Sequence, residues 1–193
     1  KDLSEAKEAF TNIYQKSRFM TDLISQLLDL ARLDQFDSLA KQEINLSSML
    51  HTIAHDYERL SEENHIKFSA NIADNIYLTC HPAALQRAIG NFLDNAFKFT
   101  RSQVKLKSYR LHGAVVISVE DDGPGIPKEA LPKIWNRLYQ TDASRSHKKN
   151  KGVGLGLYFV RRVAQLHKAA VDVQSTPNVK TTFSLVIPLD QES

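Results

Sequence analysis

Asn91, Asn95 and Lys98 stand at helical spacing within residues 91–100, NFLDNAFKFT. At about 100° per residue they share one narrow sector with Arg87, while Leu85, Ile89, Phe92, Leu93 and Ala96 fill the other side. Asparagine is a poor helix former because its amide competes for backbone hydrogen bonds. Two of them one turn apart need a reason, and the plainer one is the wet face of an ordinary amphipathic helix. Further on, VEDDGPGI (119–126) sets acidic residues at the end of an apolar run, directly before two glycines. Glycine allows positive φ and close ligand approach, and a carboxylate there can accept a hydrogen bond from an exocyclic amine such as adenine's. A strand-end turn with solvated aspartates is the plainer alternative.

A second glycine cluster, GVGLGL (152–157), runs straight into a helix. It offers bare N–H groups and the positive end of a helix dipole to an anion. The P-loop and dinucleotide-binding fingerprints both fail here, because no Lys-Ser/Thr follows and no βαβ unit surrounds the cluster. A hinge is the alternative. Between the two clusters RSHKKNK (145–151) gathers Arg145, Lys148, Lys149 and Lys151. A mobile basic loop beside a phosphate site acts as a lid.

These groups need a scaffold. Residues 4–34 predict one long helix, with Phe10, Ile13, Ser17, Met20, Ile24, Leu27 and Ala31 alternately three and four apart, a heptad seam that Leu23, Leu28 and Leu30 widen. Such a helix packs on missing chain, dimerises, or lies on its own globular domain. DQFDSLAKQE reads as a polar connector at a domain junction, and INLSSMLHT restarts a helix capped by Asn45 or Ser47. IKFSANI and IYLTCH are strand-like, and ADN between them predicts a hairpin turn. The asparagine helix starts after His81-Pro82. QVKLKSYRL and AVVISVEDD flank a turn at His112-Gly113, a helix spans about 155–167, and AVDVQS and TTFSLVIPL close the chain. Helices alternating with antiparallel hairpins predict an α+β fold, a two-layer α/β sandwich preceded by a long bundle helix.

Of the 193 residues 42% are hydrophobic, enough for a packed core, and the net charge of +3 is too small to make nucleic acid the main partner. The single cysteine, Cys80, cannot form an internal disulfide, which fits a reducing compartment. No run approaches the roughly 18 apolar residues of a membrane span, and the piece is expected to be soluble.

Taken in order, these segments resemble the catalytic ATP-binding domain of bacterial two-component sensor histidine kinases, in the superfamily shared with gyrase, MutL and the large heat-shock chaperone. NFLDNAFKFT resembles the asparagine box, DDGPGI the first glycine box, IWNRLYQTD the phenylalanine box and GVGLGL the second glycine box. The resemblance covers about residues 45–190, and ISQLLDLARLDQ resembles the second helix of the dimerisation and phosphotransfer domain. It implies a Bergerat-type ATP-binding fold over 41–193, with 1–40 a partial phosphotransfer domain. It also implies ATP and Mg²⁺ as ligands, Asn95 as the metal ligand, and Asn91 and Lys98 near the phosphates. Asp121 would accept the adenine amine, with Gly123, Gly125 and Ile126 forming the first turn. Tyr139, Arg145 and Lys151, with Gly152, Val153, Gly154, Leu155, Gly156 and Leu157, complete the implied ATP site. Departures are Trp135 and Leu138 where phenylalanines are usual, QLHKAA in place of His-Gly-Gly, and TPNVKTTF without its glycines; the resemblance leaves Thr181 or Thr182 as candidates to line the adenine pocket it implies.

The family's acceptor histidine sits on the first bundle helix. Of the seven histidines, His55, followed by Asp56 and Arg59, is the nearest imitation, but it lies after the seam helix with no proline following; His147 in the lid reads as a bystander. No catalytic residue is therefore assigned. The acceptor is expected upstream of Lys1, in a longer protein of which this chain is a piece. The implied activity is transfer of the ATP γ-phosphoryl to that histidine and then to a response-regulator aspartate. The fragment itself is expected to bind nucleotide without autophosphorylating. Implied partners are a response regulator and a second copy through the bundle helices, with a membrane only through absent upstream segments of a sensor whose catalytic part is cytoplasmic. The alternatives are a nucleotide-gated binding module without phosphotransfer, and a serine kinase of the anti-sigma type, which the bundle-like seam opposes.

Overall fold

Val115, Ile117 and Val119 point one way from a strand and bury completely, and this alternation seats a helical layer on one face of a sheet. The computed structural model describes residues 2–36, 41–141 and 153–189. The helices are α1 (Asp2–Phe36), α2 (Leu46–Asn64), α3 (Pro82–Phe99) and α4 (Gly156–Leu166). The strands are β1 (Gln42–Asn45), β2 (Lys67–Ile72), β3 (Tyr77–Cys80), β4 (Gln103–Leu111), β5 (Ala114–Asp121), β6 (Ala170–Thr176) and β7 (Lys180–Pro188). A five-stranded sheet in the order β2-β4-β5-β7-β6 carries α2, α3 and α4, and β1 pairs with β3 in a separate two-stranded sheet. The expected α+β two-layer sandwich is thus the observed fold.

Two expectations are corrected. ADN does not close a hairpin: β2 pairs with β4 in parallel, and β3 pairs with β1 antiparallel. The sheet is therefore mixed, with one parallel pair bridged by a crossover that contains α3. The cause is a polar pin that no local spacing announces. The Ser47 hydroxyl donates to the Ala73 carbonyl at 2.7 Å and accepts from the Ile76 N–H at 3.0 Å. Ala73 N–H in turn reaches the Ser108 hydroxyl at 3.1 Å, so the two strands peel apart around α2. The second correction is β1 itself, which occupies the end of the predicted connector. Of the two proposed caps for α2, Asn45 is the one that serves, its side chain accepting from Ser48 N–H at 2.9 Å.

Elsewhere element and residue agree. His112 and Gly113 both take positive φ, 46° and 77°, as a two-residue turn between twisted strands requires. Leu46, Leu50, Leu85, Ile89, Phe92, Leu93, Leu106, Ile117, Leu185 and Ile187 form the centre of the core. Phe92 stacks on Phe183 with centroids 5.4 Å apart. Along α1 the seam splits. Phe10, Ile13, Met20, Ile24 and Leu28 lie more than half exposed, whereas Leu33 is buried and Leu30 packs on the core. The end of α1 therefore docks on the domain near α4, and the rest of its apolar stripe is uncovered. No helix of the described residues is long and apolar enough to cross a membrane.

Ser47→Ala is expected to lower unfolding free energy by roughly 1–3 kcal/mol, because it strands the buried Ile76 N–H and Ala73 carbonyl; urea denaturation measures this, and a loss near zero contradicts the pin.

Candidate functional site

α3 begins with Pro82 at its first turn, where a missing N–H costs nothing. Its apolar side, Leu85, Ile89, Phe92, Leu93 and Ala96, is fully buried, which fixes the roll of the helix and therefore the direction of its polar sector. Asn91 is buried and Asn95 and Lys98 are half-buried. Among the described residues neither asparagine side chain has a hydrogen-bond partner. Part-buried amides without protein partners call for an external one. Burial holds the Lys98 ammonium below its ordinary pKa, and its Nζ sits 5.1 Å from the Phe99 ring centroid. Arg87 stands at the edge of this sector, where its charge acts on the Tyr57 hydroxyl, which itself donates to Asp94 Oδ1 at 2.6 Å.

The second glycine cluster meets this face directly. A Cβ on Gly156 would lie 2.9 Å from Asn91 Oδ1, so any larger residue at the start of α4 would displace that amide. The N-cap residue Leu155 makes no side-chain cap, leaving the first-turn N–H groups of α4 for another acceptor. Gly154, at φ +77°, packs on the backbone of Leu138 and Tyr139, and Leu138 N–H donates to the Gly154 carbonyl at 2.9 Å. Val153 and Leu155 are buried, and Tyr139 and Leu157 pack on the core. Arg145, His147, Lys151 and Gly152, with the lid expected around them, lie outside the described residues.

At the other end of α3, the first glycine turn closes against Phe99. A Cβ on Gly123 would come within 2.6 Å of both the Phe99 carbonyl oxygen and Asp121 Oδ1. Asp121 ends β5, is buried, and accepts the Gly123 N–H at 2.9 Å. Burial, reinforced by the charges of Asp122 and Glu120 and opposed by the Gly123 N–H, pushes its carboxyl up to about 6. Thr181 is its register partner on β7 and is also buried, with its hydroxyl 3.1 Å from Ser175 Oγ. The Ile126 N–H donates to that Ser175 hydroxyl at 2.8 Å.

Asp122 is a residue that the sequence reading left without a role. Its carboxylate accepts the N–H groups of Arg101, Ser102 and Gln103 at 2.9, 3.0 and 3.1 Å, and the hydroxyls of Thr100 and Ser102. Burial would raise its pKa, but the Ser102 and Thr100 donors and the backbone N–H groups outweigh it and hold the carboxyl well below the usual range. It fastens the exit of α3 to the first glycine turn. The two hydroxyl residues flanking Arg101 in TRS were the sequence signal.

The structure therefore brings together Asn91, Asn95, Lys98, Asp121, Gly123, Gly154 and Gly156 around one helix. Among the described residues no cluster of three His, Cys, Asp or Glu side chains could hold a metal ion. The donor set on α3 suits a hard cation held by one amide oxygen together with a ligand's own oxygens.

Residues 80–191 match the family model described as Histidine kinase-, DNA gyrase B-, and HSP90-like ATPase. The chain belongs to this ATPase family. Every site residue named above falls inside the matched segment. Within the family, the chain is 26% identical over 184 residues to sensor histidine kinase YclK of Bacillus subtilis, covering 94% of this chain and 39% of that protein. It is 28% identical over 179 residues to the phosphate regulon sensor protein PhoR of Pseudomonas aeruginosa, covering 91% and 40%. The chain thus spans less than half the length of these relatives. The catalytic domain of histidine kinase ThkA superposes with a TM-score of 0.68 at 22% identity, over 78% of this chain and 99% of that one. Full-length ShkA in complex with AMPPNP superposes at 0.74 and 23% identity, over 94% and 38%. The sandwich thus shares the fold of histidine-kinase catalytic domains.

With its folded pKa near 6 and an unfolded value near ~3.9, Asp121 favours the folded state below pH 4 and loses that contribution as pH rises through 6. Asp121→Asn is therefore expected to stabilise the ligand-free protein at pH 7, by up to about 3 kcal/mol, with the gain shrinking toward pH 4; thermal melts across that range would show the opposite trend if the carboxylate were stabilising.

Proposed function

We propose that this chain is the ATP-binding catalytic part of a two-component sensor histidine kinase, acting on a histidine carried by a segment that precedes it. The observation that carries this reading is the pair of α3 amides without partners among the described residues, set between the buried Asp121 turn and the uncapped start of α4. Asp121 as carboxylate accepts the adenine amine, with Thr181 beside it. The triphosphate lies toward the α4 N–H groups and Lys98, whose desolvation a polyanion relieves. Asn95 Oδ1 would hold Mg²⁺, with Asn91 supporting the metal or the phosphates, and the ion when bound would supply charge neutralisation at the phosphoryl oxygens. The protein's part in transfer is to position and to exclude water, since the transition state for phosphoryl transfer is loose and needs little covalent help.

In this reading residues 1–40 are the second helix of a dimerisation and phosphotransfer bundle, and 41–193 the catalytic domain. The exposed stripe Phe10, Ile13, Met20, Ile24 and Leu28 then faces a bundle partner, a homodimer in the intact protein. The phosphoryl group passes on to a response-regulator aspartate. The parent is a membrane sensor whose catalytic part faces the cytoplasm. The relatives named above, which are sensor proteins much longer than this chain, support the reading.

A fluorescent adenine nucleotide titrated with and without Mg²⁺ tests the site. Binding is expected in the wild type, lost in Asp121→Asn, and without metal dependence in Asn95→Ala; affinity should also fall as pH drops below about 6, because the acceptor carboxylate is then protonated. Absence of wild-type binding would make the glycine turns relics and the chain a helical docking module.

Incubated with labelled ATP, this chain alone is expected to retain no phosphohistidine. Label on His55 that disappears in His55→Ala would overturn that. Supplying the upstream helix should restore labelling; tight binding without labelling there would favour the nucleotide-gated module.

A further inference from the structure

The turn between β6 and β7 lacks the glycines that the resemblance leads one to expect, and it is fastened to the first glycine turn by other means. Asn178 takes the left-handed conformation, φ 60°, and its N–H donates to the Pro124 carbonyl at 2.8 Å. Pro177 sits so close to Gly125 that a Cβ there would lie 2.8 Å from Pro177 Cα. From outside, Arg101 grips Asn178 with both arms. Its Nη1 donates to the Asn178 backbone carbonyl and its Nη2 to Asn178 Oδ1, each at 3.1 Å. Arg101 follows the C-cap of α3, and its own N–H donates to Asp122 Oδ1 at 2.9 Å.

These contacts close a ring: the end of α3, Asp122, the Pro124-Gly125 turn, Asn178, and back to Arg101. Asp121 is the residue next to that ring. We propose that Arg101 is a positioning residue for base recognition, holding the β6–β7 turn against the first glycine turn so that the Asp121 carboxylate stays aimed at the adenine amine. This rests on the adenine reading given above. A planar guanidinium can bridge two oxygens in one plane, which a lysine ammonium cannot do. The fork is exposed, so it contributes modestly to global stability and mainly to the shape of the turn. The consequence is specific to the base, because the α4 N–H groups on the phosphate side of the site are not part of the ring.

The test compares affinities of this chain for ATP and for inosine triphosphate, which carries a carbonyl in place of the amine. Arg101→Ala is expected to weaken ATP about fivefold, the worth of one ordinary hydrogen bond, while leaving inosine triphosphate unchanged. Asn178→Gly, which keeps the left-handed backbone but removes Oδ1, should give part of the same loss. The double variant should add little to Arg101→Ala, as coupled partners do. Asn178→Asp, which offers the fork a carboxylate, should retain wild-type selectivity. Thermal melts establish that each variant is folded. Equal weakening of both nucleotides, or an unchanged ratio in Arg101→Ala while Asp121→Asn loses ATP binding, overturns the inference and leaves the adenine reading standing. An unchanged ratio in Asp121→Asn as well overturns the adenine reading itself.

Discussion

The close approach of α3 to its neighbours is the constraint on which everything else depends. The buried side of α3 is tiled with Ala84, Leu85, Ala88, Ile89, Phe92, Leu93 and Ala96, all at 1% exposure or less. Small residues among large ones let the helix settle deep on the sheet, where Phe92 stacks on Phe183. That depth orients the opposite sector. It also brings two segments close, the start of α4 against the Asn91 side chain and the first glycine turn against the Phe99 backbone. At Gly123 the Phe99 carbonyl leaves no room for a Cβ, and at Gly156 a Cβ would displace the Asn91 amide.

Around that helix the polar groups fall into two kinds with opposite consequences. Asp122 is saturated with donors and stabilises the link between α3 and β5. Among the described residues Asp121, Lys98 and the two amides are buried or half-buried with few or no partners, and each is easier to keep in its polar form when something outside the protein supplies the missing interaction. A site of this kind lowers the stability of the ligand-free fold and gains it back on binding. Two adjacent aspartates thus differ in kind, one carboxyl held up by burial and the other held down by its donors.

Departures from the family pattern are absorbed by local geometry. Lys168 adopts φ 51° in QLHKAA and Asn178 adopts φ 60° in TPNVK, the left-handed conformation that glycine takes at least cost. His167 compensates further. Its Nε2 accepts the His81 N–H at 2.9 Å, so its Nδ1 carries the proton and donates to the Val163 carbonyl at 2.8 Å. That ties the end of α4 to the start of α3, and burial keeps the imidazole's pKa below its ordinary value. Trp135 occupies the phenylalanine-box position edge-on to the Phe183 ring at 6.0 Å, so its indole serves as core. Leu138 stays more than half exposed at φ 62°.

What the sequence determined by itself was whatever rests on short-range regularity. The 3.6-residue stripe of α3, the β4–β5 hairpin closed at His112-Gly113, and the glycine turns each announce themselves within a dozen residues, and so did the residues of the candidate site that lie on them. What only the tertiary structure decided was partnership over distance. β2 joins β4 rather than β3 because Ser47 and Ser108, 26 and 35 residues away from Ala73, hold the intervening chain open. Asp122 and the Arg101–Asn178 fork likewise join segments that no local pattern relates, 20 and 77 residues apart. A hydrogen bond between remote segments leaves no period in the sequence, because its partners meet only after the hydrophobic core has placed the elements that carry them.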